Sequence, residues 1–231
     1  MGNVGTILAT RNGGATWRRQ VSGTTANLNA VATAGAKDAW AVGRGVILAT
    51  TDGGASWVVQ DSALGTDLMG VSFADSLHGW AVGGVGGARH GWADGGGGSI
   101  LATTDGGATW TAQDSKAITP LYGVSFANDG DGWVVGMDGE ILATQDGGAH
   151  WVKQPTSVAN PLYGVSFRDK SHGLAVGATD TVAGIVLRTN DGGATWTWED
   201  SRDSGDLFGV SFVDARHAWA VGRQGAILAA H

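Results

Sequence analysis

One phrase recurs five times along this chain of 231 residues. The phrase is Ile-Leu-Ala-Thr-x-Asp-Gly-Gly-Ala-Thr-Trp or a close variant, and its copies begin at Ile7, Ile47, Ile100, Ile141 and Val186. The base period is about 40 residues, which is typical of the four-stranded blades of a β-propeller. We therefore expect an all-β fold: a single β-propeller domain of about five four-stranded blades.

The period divides the chain into five copies and a remainder. The predicted repeats are 7–46, 47–99, 100–140, 141–184, 185–226 and a partial copy, 227–231. Four short strands follow from the third and fourth copies: Leu121–Phe126, Gly132–Gly136, one from Ile141 and one near Trp151. Each is rich in β-formers and is bounded by glycine or aspartate. No window shows uninterrupted helical periodicity, so almost no helix is expected. The similarity of the copies indicates amplification of one blade.

A repeated turn joins the third and fourth strands of each predicted blade. Its Ser/Thr-x-Asp-x-Gly-x-Thr-Trp pattern resembles the Asp box, also called the BNR repeat. An Asp or Asn side chain accepts hydrogen bonds from backbone N–H groups nearby, and glycine permits a tight hairpin. We predict a structural role for these residues, with a catalytic or calcium-binding role as the alternative. They are Asn12, Trp17, Asp52, Trp57, Asp105, Trp110, Asp146, Trp151, Asp191 and Trp196.

The copies differ most in the loop between the second and third strands. The loop is short around Arg44 and Arg223, and one copy extends it over 84–99, where Arg89 and Trp92 lie. These four residues are the candidate ligand-binding set, since arginines from neighbouring blades bind anions or carboxylates. The alternatives are separate solvated arginines and a tryptophan that tethers its loop.

Charge and composition exclude several functional classes. The net charge is −7, whereas a broad nucleic-acid footprint needs a basic surface. The chain has no cysteine and no apolar run long enough for a membrane helix. His78, His172 and His217 occupy one repeat position on different blades, so no metal site is expected, and no cofactor either. The location stays open, with a secreted or cell-envelope protein favoured and no signal-peptide pattern in the first residues.

The two chain ends carry the same kind of strand. The sequence predicts five first, second and fourth strands but six third strands, because Thr6–Thr10 and the segment from Ile227 both qualify. A five-bladed ring closes if the N-terminal strands complete the blade that begins near Leu207. The duplicated third strand is then displaced or is exchanged with a neighbouring molecule. The alternative is that the chain is a piece of a longer propeller.

Three phrases together resemble the photosystem II assembly and stability factor propellers. They are Leu-x-Gly-Val-Ser-Phe, Asp-x-x-His-Gly-Trp-Ala-Val-Gly and the recurrent phrase, and they cover the chain from Ile7 to Ala230. The resemblance implies a propeller, since that family forms seven-bladed rings. It also implies a protein partner, which the family engages through an arginine-rich patch.

Propellers with Asp boxes also include sialidases and xyloglucan-type glycoside hydrolases. A sialidase needs a tyrosine nucleophile, but Tyr122 and Tyr163 belong to the repeated first strand and are interpreted as packing residues. We expect no catalytic residues and a non-enzymatic scaffold that mediates protein–protein interaction. The alternatives are a lectin-like propeller that binds a glycan and, less favoured, a partial glycoside hydrolase.

Overall fold

The computed structural model describes residues 2–60, 67–84, 97–180, 183–199, 201 and 205–230. They form an all-β propeller of about five blades, which confirms the fold class that the repeat predicts. Helix in this part of the chain is limited to two short 3₁₀ turns, Met137–Gly139 and Arg223–Gly225. Over the same residues, no helix is long and apolar enough to cross a membrane.

Consecutive antiparallel strands build each blade, in chain order from the inside outwards. A two-stranded sheet comes first, with β1 (Ile7–Ala9) and β2 (Arg18–Gln20). Four four-stranded blades follow. The first complete blade consists of β3 (Leu28–Ala34), β4 (Asp38–Gly43), β5 (Val46–Thr50) and β6 (Val58–Gln60), and the second of β7 (Asp67–Phe73), β8 (Gly79–Gly84), β9 (Gly98–Thr103) and β10 (Thr111–Gln113). The third consists of β11 (Leu121–Phe126), β12 (Gly132–Gly136), β13 (Ile141–Thr144) and β14 (Val152–Lys153), and the fourth of β15 (Leu162–Phe167), β16 (Gly173–Ala178), β17 (Gly184–Thr189) and β18 (Thr197–Glu199). The last sheet has β19 (Leu207–Phe212), β20 (Ala218–Gly222) and β21 (Ile227–Ala230).

The first strand of each blade is its inner strand, and neighbouring inner strands pack together at a row of small residues. A Cβ atom at Gly123 would lie 3.0 Å from the Tyr163 carbonyl oxygen and 3.2 Å from Gly164 Cα. Gly70 and Gly164 meet their neighbours at similar distances. Glycine recurs at this position because two backbones approach where a side chain would stand.

The core lies between the blades, and one aromatic pair is repeated at three successive junctions. A tryptophan of the second strand stacks on a phenylalanine of the next inner strand, with ring centroids 3.4 to 3.5 Å apart. Its indole N–H also donates to a glycine carbonyl in the next blade, at 2.8 to 2.9 Å. The pairs are Trp40 with Phe73, Trp80 with Phe126 and Trp133 with Phe167.

The fourth junction differs from the other three, and the described blades form an arc whose first and last sheets are not joined by strand pairing. Leu174 takes the tryptophan position there and packs on Phe212. The sheet of β1 and β2 and the sheet of β19 to β21 remain separate, and no strand pairing joins them among the residues described. Of the two candidate third strands, Ile227–Ala230 pairs with β20, whereas Ile7–Ala9 pairs with β2 alone.

Candidate binding face

The predicted arginines lie in the loops that connect second and third strands. Arg44 pairs with Asp67 of the next blade, with 3.8 Å between Nε and Oδ1. Arg223 pairs with Asp206, with 3.3 Å between Nη1 and Oδ2. Each arginine is thus paired with a different aspartate, and the described ion pairs do not bring the two arginines to a shared acidic partner. Arg89 and Trp92 lie outside the described residues.

A bulge at the start of each inner strand singles out one side chain per blade. On β11, the register shifts between Leu121 and Gly123, so Tyr122 is the extra residue opposite β12. The same shift occurs on all five inner strands. A bulge leaves its extra residue out of the regular ladder and re-aims the side chain. The axial row consists of these extra residues: Asn29, Met69, Tyr122, Tyr163 and Phe208.

Members of the axial row contact one another across the blade junctions. The rings of Tyr122 and Tyr163 have centroids 5.4 Å apart, and Tyr163 and Phe208 repeat that distance. At the other end, Asn29 Nδ2 lies 3.5 Å from the sulfur of Met69. The row therefore contains an aromatic track, formed by Tyr122, Tyr163 and Phe208, and an Asn29–Met69 pair at its other end.

The axial row is buried in its middle and exposed towards its ends. Tyr122 is buried, but Met69 is 40% exposed and Phe208 is 50% exposed. The interpretation of Tyr122 and Tyr163 as packing residues, which the sequence favours, therefore applies best to Tyr122. Exposed aromatic and thioether side chains in one line are the composition that protein interfaces favour. Sequence reasoning missed this row, although four of the five copies have a large residue, Met69, Tyr122, Tyr163 or Phe208, directly before the repeated glycine.

Acidic groups lie beside the aromatic middle of the row. Burial, with the neighbouring Tyr163 and Asp138, raises the pKa of Tyr122 to about 12. Burial and then Asp206 also raise the pKa of Tyr163. Both phenols therefore stay protonated at neutral pH and can donate hydrogen bonds. The carboxylate of Asp138 stands at an exposed loop tip, so a cation near this track is favoured electrostatically.

A shallow depression adjoins the row at Asp138. It has a volume of about 490 Å³, and its walls include Lys153, Pro155 and Val158. Lys153 Nζ lies 2.7 Å from Oε2 of Glu140, so this cation is already paired. The depression is lined by the loop at Asp138 and by the segment that follows β14, and none of its lining residues belongs to the axial row.

The aspartate turns, which join third and fourth strands, satisfy their own polar groups. Asp105 Oδ1 accepts hydrogen bonds from Thr103 Oγ1 at 2.8 Å and the Thr109 N–H at 2.9 Å. Its Oδ2 accepts one from Thr109 Oγ1 at 2.6 Å. Asn12 accepts the corresponding bonds from Thr10 and Thr16 in the first turn. These carboxylates are engaged in holding backbone and hydroxyl groups of their own turn.

These hydrogen bonds predict a loss of stability in acid. Bonds from the Thr109 hydroxyl and backbone lower the pKa of Asp105 to about 2, and Asp191 is held likewise by Thr195. Since the folded pKa values lie below the unfolded ones, the stabilisation is complete above about pH 4 and disappears as the pH falls towards about 2. We expect the midpoint of thermal unfolding to fall steeply over that interval.

A variant with asparagine in three turns is the matched test. Asp52→Asn, Asp105→Asn and Asp191→Asn together keep the acceptor, as Asn12 does, but remove the titration. The thermal midpoint of this variant should depend less on pH below about pH 4 than that of the wild type. An equally steep decline in both proteins would show that other groups control the acid transition.

Three histidines pair locally with aspartates three residues earlier. His78 Nδ1 lies 2.8 Å from Asp75, His172 2.9 Å from Asp169, and His217 2.8 Å from Asp214. Within the described ranges, no group of three or more His, Asp or Glu side chains is arranged to hold a metal ion. These pairs therefore organise the turn before the second strand.

Comparisons with known proteins extend the fold assignment. No family model and no curated protein matches the sequence. Among solved structures, the chain is similar to YCF48 from Cyanidioschyzon merolae, with 18% identity and a TM-score of 0.60 over 100% of this chain and 89% of that one. A structure of YCF48 bound to D1 peptide gives the same identity and TM-score over 100% and 86% of the two chains.

A second group of similar structures consists of enzymes. The GH74 xyloglucanase from Xanthomonas campestris shares 16% identity and a TM-score of 0.70, over 97% of this chain and 40% of that one. An ancestral GH74 enzyme shares 15% identity and a TM-score of 0.73, over 96% and 32%. These matches show the propeller fold. The chain spans only about a third to two fifths of these enzymes.

Proposed function

We propose that this chain is a non-enzymatic propeller that binds an extended segment of another protein along the axial row. The observation that carries the proposal is the aromatic track of Tyr122, Tyr163 and Phe208, in mutual contact and increasingly exposed towards one end. A few anchor residues supply most of the binding energy at protein interfaces, and tyrosine is enriched among them, while phenylalanine is enriched at interface cores.

The charges beside the row favour a segment with basic and apolar residues. Asp138 is exposed beside Tyr122, and Asp206 lies beside Tyr163. The chain as a whole carries a net charge of −7, which favours approach of a cationic partner. Alternating lysine and aromatic side chains would place a cation near Asp138 and a ring against the track, whereas Asp206 is already paired with Arg223.

Two further observations support a protein partner. The sequence resembles photosystem II assembly factors, and the similar propeller YCF48 has been solved with a D1 peptide. Against catalysis, the aspartates of the repeated turns are engaged within their turns, and the raised pKa of Tyr122 opposes its ionisation as a nucleophile. A protein ligand is therefore favoured over a glycan or a hydrolysable substrate.

Binding of a defined peptide tests the proposal. The probe is a fluorescein-labelled Gly-Lys-Phe-Lys-Phe-Lys-Phe-Lys-Gly peptide, followed by fluorescence anisotropy, with a glutamate version as the charge control. Phe208→Ala and Tyr163→Ala should each weaken binding by roughly tenfold, because truncation of an aromatic anchor costs about 1.4 kcal/mol or more. Asp138→Asn should reduce the preference for lysine over glutamate.

Trp198→Ala is the matched control, since this exposed tryptophan lies on the outer strand β18 and should not affect the peptide. Equal affinities for the wild type and both axial-row variants would contradict the proposal. Competition by a xyloglucan oligosaccharide, with loss of that competition in Phe208→Ala, would instead assign the row to a glycan.

A further inference from the structure

The last sheet exposes a face that is buried at every earlier junction. Trp219 of β20 is 39% exposed, whereas Trp40, Trp80 and Trp133 at the same repeat position are 2 to 3% exposed. Val221 of the same strand is also exposed, whereas its counterparts in the preceding second strands are fully buried. No acceptor for the Trp219 indole N–H lies among the described residues. This end is therefore a blade junction without its second half.

The opposite end of the arc offers the missing half. Val31 of β3 is half exposed, whereas Val71, Val124 and Val165 at the same position are buried against the preceding blade. In the complete junctions, a glycine carbonyl accepts two hydrogen bonds from the preceding blade. The Gly106 oxygen, for example, accepts one from the Trp40 indole N–H and one from the Gln60 side-chain amide.

The first blade presents the equivalent carbonyl with one of its two donors. The Gly53 oxygen accepts Gln20 Nε2 from β2 at 3.1 Å, and no indole reaches it in the described structure. The aligned tryptophan that would supply the second bond is Trp219.

The strand β1 already occupies the third-strand position of an incomplete blade. Ile7 is 3% exposed and packs on Leu28 and Leu48 of the first complete blade. The side-chain oxygen of Gln20 on β2 also accepts a hydrogen bond from the Trp57 indole N–H. Gln60 accepts the equivalent hydrogen bond from Trp110. The pair β1 and β2 is therefore the outer half of a blade, whose inner half would be a first and a second strand.

The strands β19 and β20 are such an inner half, and β21 competes with β1 for the third place. The two third strands share Ile-Leu-Ala, but Ile227 is 70% exposed where Ile7 is buried. The better anchored strand is β1, so β21 is the one that gives way.

We infer that the chain associates head to tail, with β19 and β20 of one copy completed by β1 and β2 of a second copy. The exposed Trp219 then covers Val31 and donates to the Gly53 oxygen of that copy. The second copy is the occupant because, among the described residues of one chain, no strand pairing joins the first and last sheets, and Trp219 and Val31 both stay exposed. Contact between two different patches of this kind is heterologous, so it continues into rings or chains.

Sedimentation velocity with end-blocked variants tests the inference. The wild type should form species larger than the monomer, in a concentration-dependent way. Trp219→Asp blocks one end and Val31→Asp blocks the other, and both positions are exposed, so each variant should fold and sediment as a monomer. A mixture of the two variants should form a one-to-one pair, because each contributes its intact end.

Three outcomes would overturn the inference. One is a wild type that stays monomeric at all concentrations, which includes a monomer whose two ends close on each other within one chain. Another is a Val31→Asp protein that still self-associates, which would indicate contact between identical ends. The third is weaker association after deletion of residues 227–231, which would show that β21 is part of the contact. The inference predicts instead that this deletion strengthens association severalfold, because it removes the strand that competes with β1.

Discussion

Replacing Trp133 by alanine is expected to lower the free energy of unfolding by about 3–5 kcal/mol. The side chain is buried, stacks on Phe167 at 3.5 Å between centroids and donates to the Gly192 carbonyl at 2.8 Å. Alanine would leave a cavity between two blades and remove a hydrogen-bond donor from a glycine carbonyl. Urea unfolding followed by circular dichroism gives the value.

Two matched variants separate burial from residue type. Trp219→Ala removes the same side chain at the same repeat position, but in dilute monomer it should cost less than about 1 kcal/mol, because that tryptophan has no neighbouring blade. Trp133→Leu should cost roughly half as much as alanine, since Leu174 fills this position at the fourth junction. Similar losses for Trp133→Ala and Trp219→Ala would contradict the junction described here.

Replacing Gly123 by valine should destabilise the chain by about 1–3 kcal/mol. Valine favours strands, so local preference alone predicts a gain. The loss is expected because its Cβ would lie 3.0 Å from the Tyr163 carbonyl oxygen, and the Cγ atoms would press further on the next inner strand. Thermal unfolding of the purified variant measures the effect.

Gly209→Val is the control for this substitution. Gly209 occupies the same position on the last inner strand, where a Cβ would meet only Val221 Cγ2, at 3.3 Å. Measured on the monomer, Gly209→Val should leave the unfolding midpoint nearly unchanged. A loss as large as that of Gly123→Val would show that bulk on the strand itself, rather than contact between blades, sets the cost.

Much of the fold follows from the sequence because the same local pattern is repeated. The predicted strands Leu121–Phe126 and Gly132–Gly136 are confirmed at both ends. Short runs of β-formers bounded by glycine and aspartate define strand limits locally, and five copies reinforce each limit. The near absence of helix in the described part of the chain follows from the same pattern.

The axial row could not be predicted because it depends on pairing between strands. The bulge at Tyr122 arises from the register of β11 against β12, which sequence periodicity does not show. The exposure of Phe208 depends on its position at the end of the arc. Likewise, Arg44 and Arg223 were placed in loops of one kind, but their ion pairs with Asp67 and Asp206 depend on how loops meet inner strands.

The most direct test of the proposed binding face is to locate the lysine–phenylalanine peptide by NMR. Backbone amide shifts of the isotope-labelled chain would be followed as the unlabelled peptide is added. We predict that the changes centre on Tyr122, Tyr163 and Phe208 and fade towards the aspartate turns. Changes centred on the turns at Asp105 and Asp146, with the axial row unaffected, would contradict the account.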